Sequence, residues 1–259
     1  MSNVAGVNPP RFPMRVKEFL AHADQFLKRG DIVLSRSATF YSWLIRIATN
    51  SPFSHCALVF LLPQPAEQFH NTFLVQSVKN GVGLASLRSY VFSKSERNQM
   101  AIKRFNQSWA DDEFQKQVGG IMLDYINAGY DFNRALKIGF TFLFSITLGW
   151  FKIFGSSNTS MSDAVKRTKR RSRSWIPPQF ICGGFVQYGF LQAQERRGGN
   201  PQDVIFRDGL SEYDRDELLA VTPKDIAQTP KLEWAYIIRK GWVHEVKTYA
   251  EARKLISGG

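Results

Sequence analysis

The sequence contains two cysteines and four histidines, and these are the residue types that could support catalysis by a thiol nucleophile. A reactive thiolate is best formed at the N-terminus of a helix, where unpaired backbone N–H groups and the helix dipole lower the pKa of a thiol. Cys182 has this position, because Pro177 and Pro178 prevent a helix from entering from upstream. Apolar residues after Cys182 provide a side that can pack. We predict a helix from Cys182 to about Gln194, with Cys182 as the nucleophile.

A thiol nucleophile needs an imidazole that takes its proton and returns it to the leaving group. His22 lies in a charged N-terminal stretch, His70 in a loop, and His244 near the charged C-terminus. His55 instead opens the apolar run from 54 to 62, which has the composition of a buried strand. Because a strand holds its side chains rigidly, His55 is the predicted base.

Cys56 follows His55 directly in the same predicted strand. Neighbouring residues of a strand point to opposite faces, so the thiol of Cys56 is expected to point away from His55. A free cysteine is commonly a small buried hydrophobe, and a single histidine is commonly structural. We interpret Cys56 as a core residue.

The elements expected around this pair are those of a mixed α+β domain. Helices are predicted where apolar residues recur on one face, and strands where β-branched and aromatic residues form short runs. The predicted helices are 40–47, one beginning at Asp112 with Asp111 or Asp112 as its cap, and a charged terminal helix from about His244; the predicted strands are 31–35, 54–62, 73–78, 81–87 and 100–105.

The composition favours a folded protein with anionic partners. Hydrophobic residues make up 44% of the chain, and the net charge is +12. Two cysteines are too few to form a disulfide scaffold, which favours free thiols in a reducing compartment. The first thirty residues contain no apolar core of signal-peptide length. A cytoplasmic or peripheral membrane protein without a cleaved signal peptide is therefore expected.

Two segments suggest contact with a membrane. Residues 138–151 carry no charge, and as a helix they would be shorter than the ~30 Å needed to span a bilayer, while residues 166–173 are strongly basic. An interfacial helix beside an anionic surface fits both, although a buried core helix followed by a solvated basic loop stays open. The residues expected at the membrane are Phe144, Leu148, Trp150, Lys166, Arg167, Lys169, Arg170, Arg171 and Arg173.

Other classes of partner are not expected. The positive charge is spread along the chain, and no nucleic-acid-binding motif accompanies the basic run. Cysteines and histidines do not cluster at the spacings of a metal site. The predicted chemistry requires no cofactor, and the oligomeric state stays open.

Three motifs carry a family resemblance. They are GDIVLSRS at 30–37, IRIATNSPFSHCALVF at 45–60 and FICGGFVQYGF at 180–190. Together they resemble the YiiX/YaeF group, the circularly permuted branch of the NlpC-like papain superfamily, which is related to lecithin retinol acyltransferase-like enzymes. The similarity covers about 30–240, and its further matches lie at 75–87, 130–132 and 221–234.

The resemblance implies a permuted papain-like α+β fold. An antiparallel sheet would pack on the helix that carries the nucleophilic cysteine, and the histidine strand would precede that helix in the chain. The implied organisation is an N-terminal extension at 1–29, the papain-like domain at 30–240 with an insert at about 136–175, and a C-terminal helix at 241–259.

The resemblance also implies the roles of individual residues. Cys182 would be the nucleophile, His55 the base, and Gln76 the residue that orients the imidazole. The family often has a carboxylate at that third place, whereas Gln76 accepts a hydrogen bond without adding a full negative charge. The backbone N–H groups of Cys182 and Gly183 would hold the oxyanion, and Gly183 and Gly184 would let a substrate approach the backbone.

The function implied is that of a cysteine hydrolase or acyltransferase. It would cleave an amide or ester bond through a thioester, with a lipid at a membrane surface as the leading substrate. One alternative is a peptidase or amidase acting on cell-wall peptidoglycan. A second alternative, from a different class, is an inactive binding module with the same fold.

Overall fold

The computed structural model describes residues 12–36, 40–92, 99–126, 128–130 and 179–257. Within these residues the protein has a mixed α+β architecture, with an eight-stranded sheet and helices on both faces of that sheet. The segments predicted to contact a membrane, 138–151 and 166–173, lie outside the described residues. No helix of the described part is both long and apolar enough to cross a bilayer.

The strands follow the predicted runs closely in the first half of the domain. In chain order they are β1 (Met14–Arg15), β2 (Ile32–Ser35), β3 (His55–Leu61), β4 (Phe73–Val78), β5 (Gly81–Ser86), β6 (Gln99–Phe105), β7 (Gly129–Tyr130), β8 (Gln179–Phe180), β9 (Leu232–Arg239) and β10 (Trp242–Glu245).

Helices occupy most of the connections between these strands. They are α1 (Val16–Ala21), α2 (Ala23–Phe26), α3 (Phe40–Thr49), α4 (Leu87–Phe92), α5 (Asp112–Leu123), α6 (Cys182–Arg196), α7 (Arg215–Leu218), α8 (Pro223–Gln228) and α9 (Tyr249–Ser257).

The large sheet has the strand order β1-β10-β9-β6-β2-β3-β4-β5, and all of its pairings are antiparallel. In the pairing of β3 with β4, Ala57 lies opposite Gln76. His55 is two residues before Ala57 and therefore shares its face, so His55 and Gln76 are diagonal neighbours. This register brings the predicted base and the predicted orienting residue together.

The sheet separates two hydrophobic cores. Cys56 and Leu58 of β3 face the core that contains α5 and α6, and Ala57 and Val59 face the core that contains α1, α2 and α4. Alternation along β3 therefore directs neighbouring residues into different cores. It places the thiol of Cys56 on the side of the sheet that carries α6.

Helix α6 is the central helix of the domain. Twelve of its residues, beginning with Cys182, are buried, so it is covered on nearly every side. It packs along α5, where the hydroxyl oxygens of Tyr125 and Tyr188 lie 2.6 Å apart. The predicted cap of α5 is confirmed, because the Asp111 carboxylate accepts a hydrogen bond from the Phe114 N–H.

The C-terminal region differs from the prediction. The prediction that a terminal helix begins at about His244 is wrong, because His244 lies in β10 and pairs with Ile237 of β9. The connection between these strands is Lys240–Gly241, with φ of 50° and 80°, which is the backbone of a tight hairpin turn that requires positive φ at both residues. Helix α9 begins only at Tyr249.

Lys103 of β6 is fully buried within the α6 side of the domain. Its Nζ donates to the carbonyl oxygens of Ile226, Ala227 and Thr229, at 3.1, 2.8 and 3.0 Å. These carbonyls lie at the C-terminal end of α8, where a helix favours positive charge. The lysine therefore ties α8 to the sheet.

Candidate active site

Cys182 is the first residue of α6. Its neighbour Ile181 has extended backbone, with φ −88° and ψ 156°, and the Phe185 N–H donates to the Ile181 carbonyl at 2.9 Å. The first N–H groups of a helix have no partner inside the helix, and they point along its axis toward whatever lies at its start. Cys182 is thus held where backbone N–H groups favour negative charge, as the sequence predicts.

The histidine is held by two polar side chains. Nε2 of His55 lies 2.9 Å from Oε1 of Gln76 and 3.0 Å from the Tyr90 hydroxyl oxygen. The Tyr90 hydroxyl also donates a hydrogen bond to Oε1 of Gln76, so the three side chains form a closed network. The Tyr90 ring stacks on the imidazole, with 6.2 Å between ring centroids. Together these contacts restrict the rotation of the ring.

These contacts determine which nitrogen of His55 carries the proton. An amide oxygen can only accept a hydrogen bond, so Nε2 of His55 must donate to Oε1 of Gln76. In the neutral ring Nδ1 is then the unprotonated nitrogen, available to take a proton from Cys182. The network therefore selects the tautomer that a general base requires.

The pKa of the Cys182 thiol lies well below its usual range. The largest cause is a hydrogen bond from the Cys56 thiol, whereas burial acts in the opposite direction. A hydrogen bond and the charge of His55 lower the pKa further, as does a hydrogen bond with the backbone of Cys56. His55 and Cys56 thus both act on Cys182 in the direction of a thiolate.

Cys56 has a larger role than the sequence suggests. It is fully buried and belongs to the core, as predicted, but its thiol contacts Cys182. Burial raises the pKa of Cys56 well above its usual range, and the hydrogen bond and charge of Cys182 raise it further. Both causes favour the protonated form of Cys56, which can donate its S–H to the Cys182 sulfur.

The two glycines after Cys182 are needed for a different reason from the one predicted. A Cβ at Gly183 would lie 2.1 Å from the Val221 carbonyl oxygen, and a Cβ at Gly184 would lie 1.9 Å from the Leu219 carbonyl oxygen. The backbone between α7 and α8, and not a substrate, fills the space beside the Cα atoms of these glycines. Close packing of this backbone sets the position of the first turn of α6.

Other residues from the sequence-based search lie apart from this site. His22 and His70 are exposed outside the strands, and His244 lies on β10, several strands from β3. The described residues contain no group of three or more His, Cys, Asp or Glu side chains placed to share a metal ion.

Two site residues were not identified from sequence. Tyr90 lies on α4, a short helix that begins directly after β5, and the run of polar and apolar residues there gave no signal of a link to His55. The contact of Cys56 with Cys182 was missed because alternation indicates the face of a strand but not which helix covers that face.

Comparison with solved structures finds five matching chains. The chain resembles the crystal structure of yiiX from Escherichia coli O157:H7, titled a metalloprotein and DUF1105, with a TM-score of 0.48 and 16% sequence identity. The alignment covers 81% of this chain and 97% of that chain. No family model matches the sequence, and no curated protein matches it either.

Proposed function

We propose that the protein is a thiol-dependent hydrolase or acyltransferase that cleaves an amide or ester bond through a thioester. The observation that supports this most is the position of Cys182 as the first residue of α6, with its pKa lowered in part by His55, whose Nε2 is held by Gln76 and Tyr90. A nucleophile, a base and a residue that orients the base are the minimum set for this chemistry.

The reaction would begin at the sulfur of Cys182. The thiolate attacks the carbonyl carbon, and the oxyanion is stabilised by the backbone N–H groups of Cys182 and Gly183. Protonated His55 gives its proton to the leaving alcohol or amine, which departs as the thioester forms. His55 then takes a proton from water or another acceptor, which attacks the thioester and releases the acyl group.

The substrate we propose is a lipid acyl ester or amide at an anionic membrane surface. This part of the proposal depends on residues 138–151 and 166–173, which lie outside the described residues. Burial of apolar surface contributes ~25 cal/mol per Å², and each basic residue near an anionic surface contributes about 1 kcal/mol. An apolar helix and a basic run would therefore act together.

The reaction is tested by mass spectrometry of the full chain. The wild type and Cys182→Ala are each incubated with a total lipid extract and, separately, with peptidoglycan fragments. We expect the wild type to release acyl groups from lipid and to carry an acyl adduct on Cys182, and the variant to do neither. Cleavage of the fragments alone would favour the peptidoglycan alternative, and equal turnover by the variant would refute a Cys182 nucleophile.

Membrane contact is tested separately by liposome flotation. Binding of the wild type should require anionic lipid and weaken at high salt. The double variant Phe144→Asp with Leu148→Asp should lose binding while its circular dichroism stays that of the wild type. If the variant unfolds and the wild type ignores liposomes, the apolar segment is core, and the lipid part of the proposal fails.

A further inference from the structure

The candidate nucleophile has a second thiol as its direct neighbour. Cys56 on β3 and Cys182 on α6 both belong to the core between the sheet and α6, with exposed fractions of 0% and 5%. Cys56 lies on the face of β3 that packs against α6, each cysteine shifts the pKa of the other, and neither is in a disulfide. Packing of α6 on the sheet therefore brings the two sulfur atoms together from distant parts of the chain.

Acyl transfer does not require a thiol at position 56. A serine would also donate a hydrogen bond to the Cys182 sulfur, and an alanine would fill the core with little change in shape. A cysteine adds one chemical property that both lack, which is the ability to form a bond with an oxidised sulfur. A second thiol beside a reactive thiolate therefore suggests a role that serine or alanine could not fill.

We propose that Cys56 and Cys182 form an intramolecular disulfide when the protein meets a hydroperoxide, which makes the pair a site of reversible oxidative modification. The inference rests on the proposed reactivity of Cys182 but not on the acyl-transfer reaction or its substrate. Hydrogen peroxide and organic hydroperoxides are the chemical class of oxidant required.

The first step takes place at Cys182. Its thiolate attacks one oxygen of the hydroperoxide, the O–O bond breaks, and a sulfenic acid forms while hydroxide or alkoxide leaves and takes up a proton. The low pKa of Cys182 favours this step, because the thiolate and not the thiol reacts. Cys56 does not compete, because its pKa is raised.

The second step takes place at Cys56. Its sulfur attacks the sulfur of the sulfenic acid, the S–O bond breaks, and the leaving hydroxide takes the Cys56 proton to form water. Two thiols are oxidised and one hydroperoxide is reduced, so the electrons balance. Burial is the main cause of the raised pKa of Cys56, and the loss of the Cys182 thiolate removes the negative charge that raises it further, which favours the second step.

Two consequences follow for the protein. The disulfide occupies the sulfur of Cys182, so the nucleophile is inactive until a thiol reductant restores it. It also consumes the sulfenic acid before a second hydroperoxide can convert it to sulfinic acid, which thiol reductants do not reverse. Cys56 would thus protect the site during oxidative exposure.

The test uses the full chain, hydrogen peroxide and intact-mass spectrometry with peptide mapping. In the wild type we expect a loss of about 2 Da, the mass of two hydrogens, and a peptide cross-link between Cys56 and Cys182. Dithiothreitol should restore both thiols and the labelling of Cys182 by iodoacetamide. In Cys56→Ser we expect oxygen adducts at Cys182, a dimedone-trapped sulfenic acid, and labelling that dithiothreitol no longer restores after prolonged exposure.

Other outcomes overturn the proposal. These are sulfinic acid at Cys182 as the main wild-type product, a cross-link between two protein molecules, or no reaction while iodoacetamide still labels Cys182. Failure of iodoacetamide to label Cys182 before any peroxide is added would instead count against the nucleophile of the proposed function. Because the wild-type cross-link is mapped directly, the proposal can be refuted even if Cys56→Ser does not fold.

Discussion

Nε2 of His55 lies 2.9 Å from Oε1 of Gln76, and this one contact decides how the imidazole is used. The amide oxygen accepts the Nε2 proton, which leaves Nδ1 as the basic nitrogen in the neutral ring. A carboxylate in place of Gln76 would do the same and would also stabilise the imidazolium with a full charge. Gln76 supplies the orientation without that charge, and Tyr90 adds a second contact to the same nitrogen.

The first prediction concerns the order in which the thiols react. The pKa of Cys182 lies well below that of a free thiol, and the pKa of Cys56 lies well above it. Alkylation by iodoacetamide should therefore modify Cys182 first at neutral pH, and its rate should fall only as the pH drops through the lowered pKa of Cys182. Cys56 should react only at high pH. Mass mapping across a pH series measures both, and faster labelling of Cys56 at neutral pH contradicts the assignment.

The second prediction concerns His55. Its hydrogen bond and charge help to lower the pKa of Cys182, so His55→Ala should move the alkylation profile of Cys182 to higher pH. Hydrolysis of a chromogenic acyl ester should also fall by about 10²- to 10⁴-fold, the usual contribution of a general base. His70→Ala is the matched control, because His70 is exposed and lies outside the site. An unchanged profile in His55→Ala would remove His55 from the pair.

The third prediction separates the two side chains that hold the imidazole. Gln76→Leu removes the acceptor for Nε2 and should lower kcat by about ten- to a hundredfold with little change in KM, since the tautomer is no longer selected. Gln76→Glu restores an acceptor and should recover most of the activity. Tyr90→Phe keeps the ring that stacks on the imidazole, so its kcat should fall less than that of Gln76→Leu. Equal kcat in Gln76→Leu and the wild type would mean that Gln76 has no positioning role.

The fourth prediction concerns packing at the start of α6. In Gly183→Ala the new methyl group meets the Val221 carbonyl at 2.1 Å, so backbone must move, which should lower the free energy of unfolding by about 1–3 kcal/mol or more. Gly120→Ala in α5 has open space around its Cβ and should be neutral or stabilising by about 0.5–1 kcal/mol. Urea denaturation compares the two. A Gly183→Ala protein as stable as the wild type would show that this backbone is free to move.

The fifth prediction concerns the buried lysine. Burial lowers the pKa of Lys103 to about 7, compared with 10.5 for a free lysine. Between pH 7 and 10.5 the unfolded chain binds more protons than the folded one, so Lys103 makes the free energy of unfolding rise with pH. Its destabilising effect is greatest below about pH 7, where the buried amine must carry a charge. The stability of Lys103→Met, measured by thermal unfolding, should lack this pH-dependent contribution. The difference in Tm between wild type and variant should therefore change steadily from pH 7 to pH 10, and a constant difference would show that Lys103 does not titrate there.

Local patterns were sufficient to predict the elements that carry the site. The proline pair before Cys182 and the apolar run after His55 predicted the starts of α6 and β3, and both elements begin at these residues. Such signals succeed because helix starts and strand composition depend on a few neighbouring residues. Gln76 was assigned only from the family resemblance, and the register of β4 on β3 places it beside His55.

Contacts between distant parts of the chain were not predictable in this way. The neighbours of Gly183 and Gly184 come from the backbone between α7 and α8, and no local pattern indicates that this backbone passes within contact distance. Lys103 appears in an ordinary strand sequence, and its buried position depends on three carbonyls more than a hundred residues away. Strand β10 depends on pairing with β9, which overrides the helical character of the charged residues around it.

The burial of α6 has a consequence for hydrogen exchange. A helix that is covered on nearly every side opens only when the surrounding core opens, so its amide protons should be among the last to exchange with deuterium. The proposed nucleophile, Cys182, is therefore expected to lie on one of the least mobile elements of the described part of the chain. Any motion that admits a substrate must come from the shorter elements around α6, such as α4 with Tyr90. Hydrogen exchange at the amides of α4 should be faster by orders of magnitude than at the amides of α6.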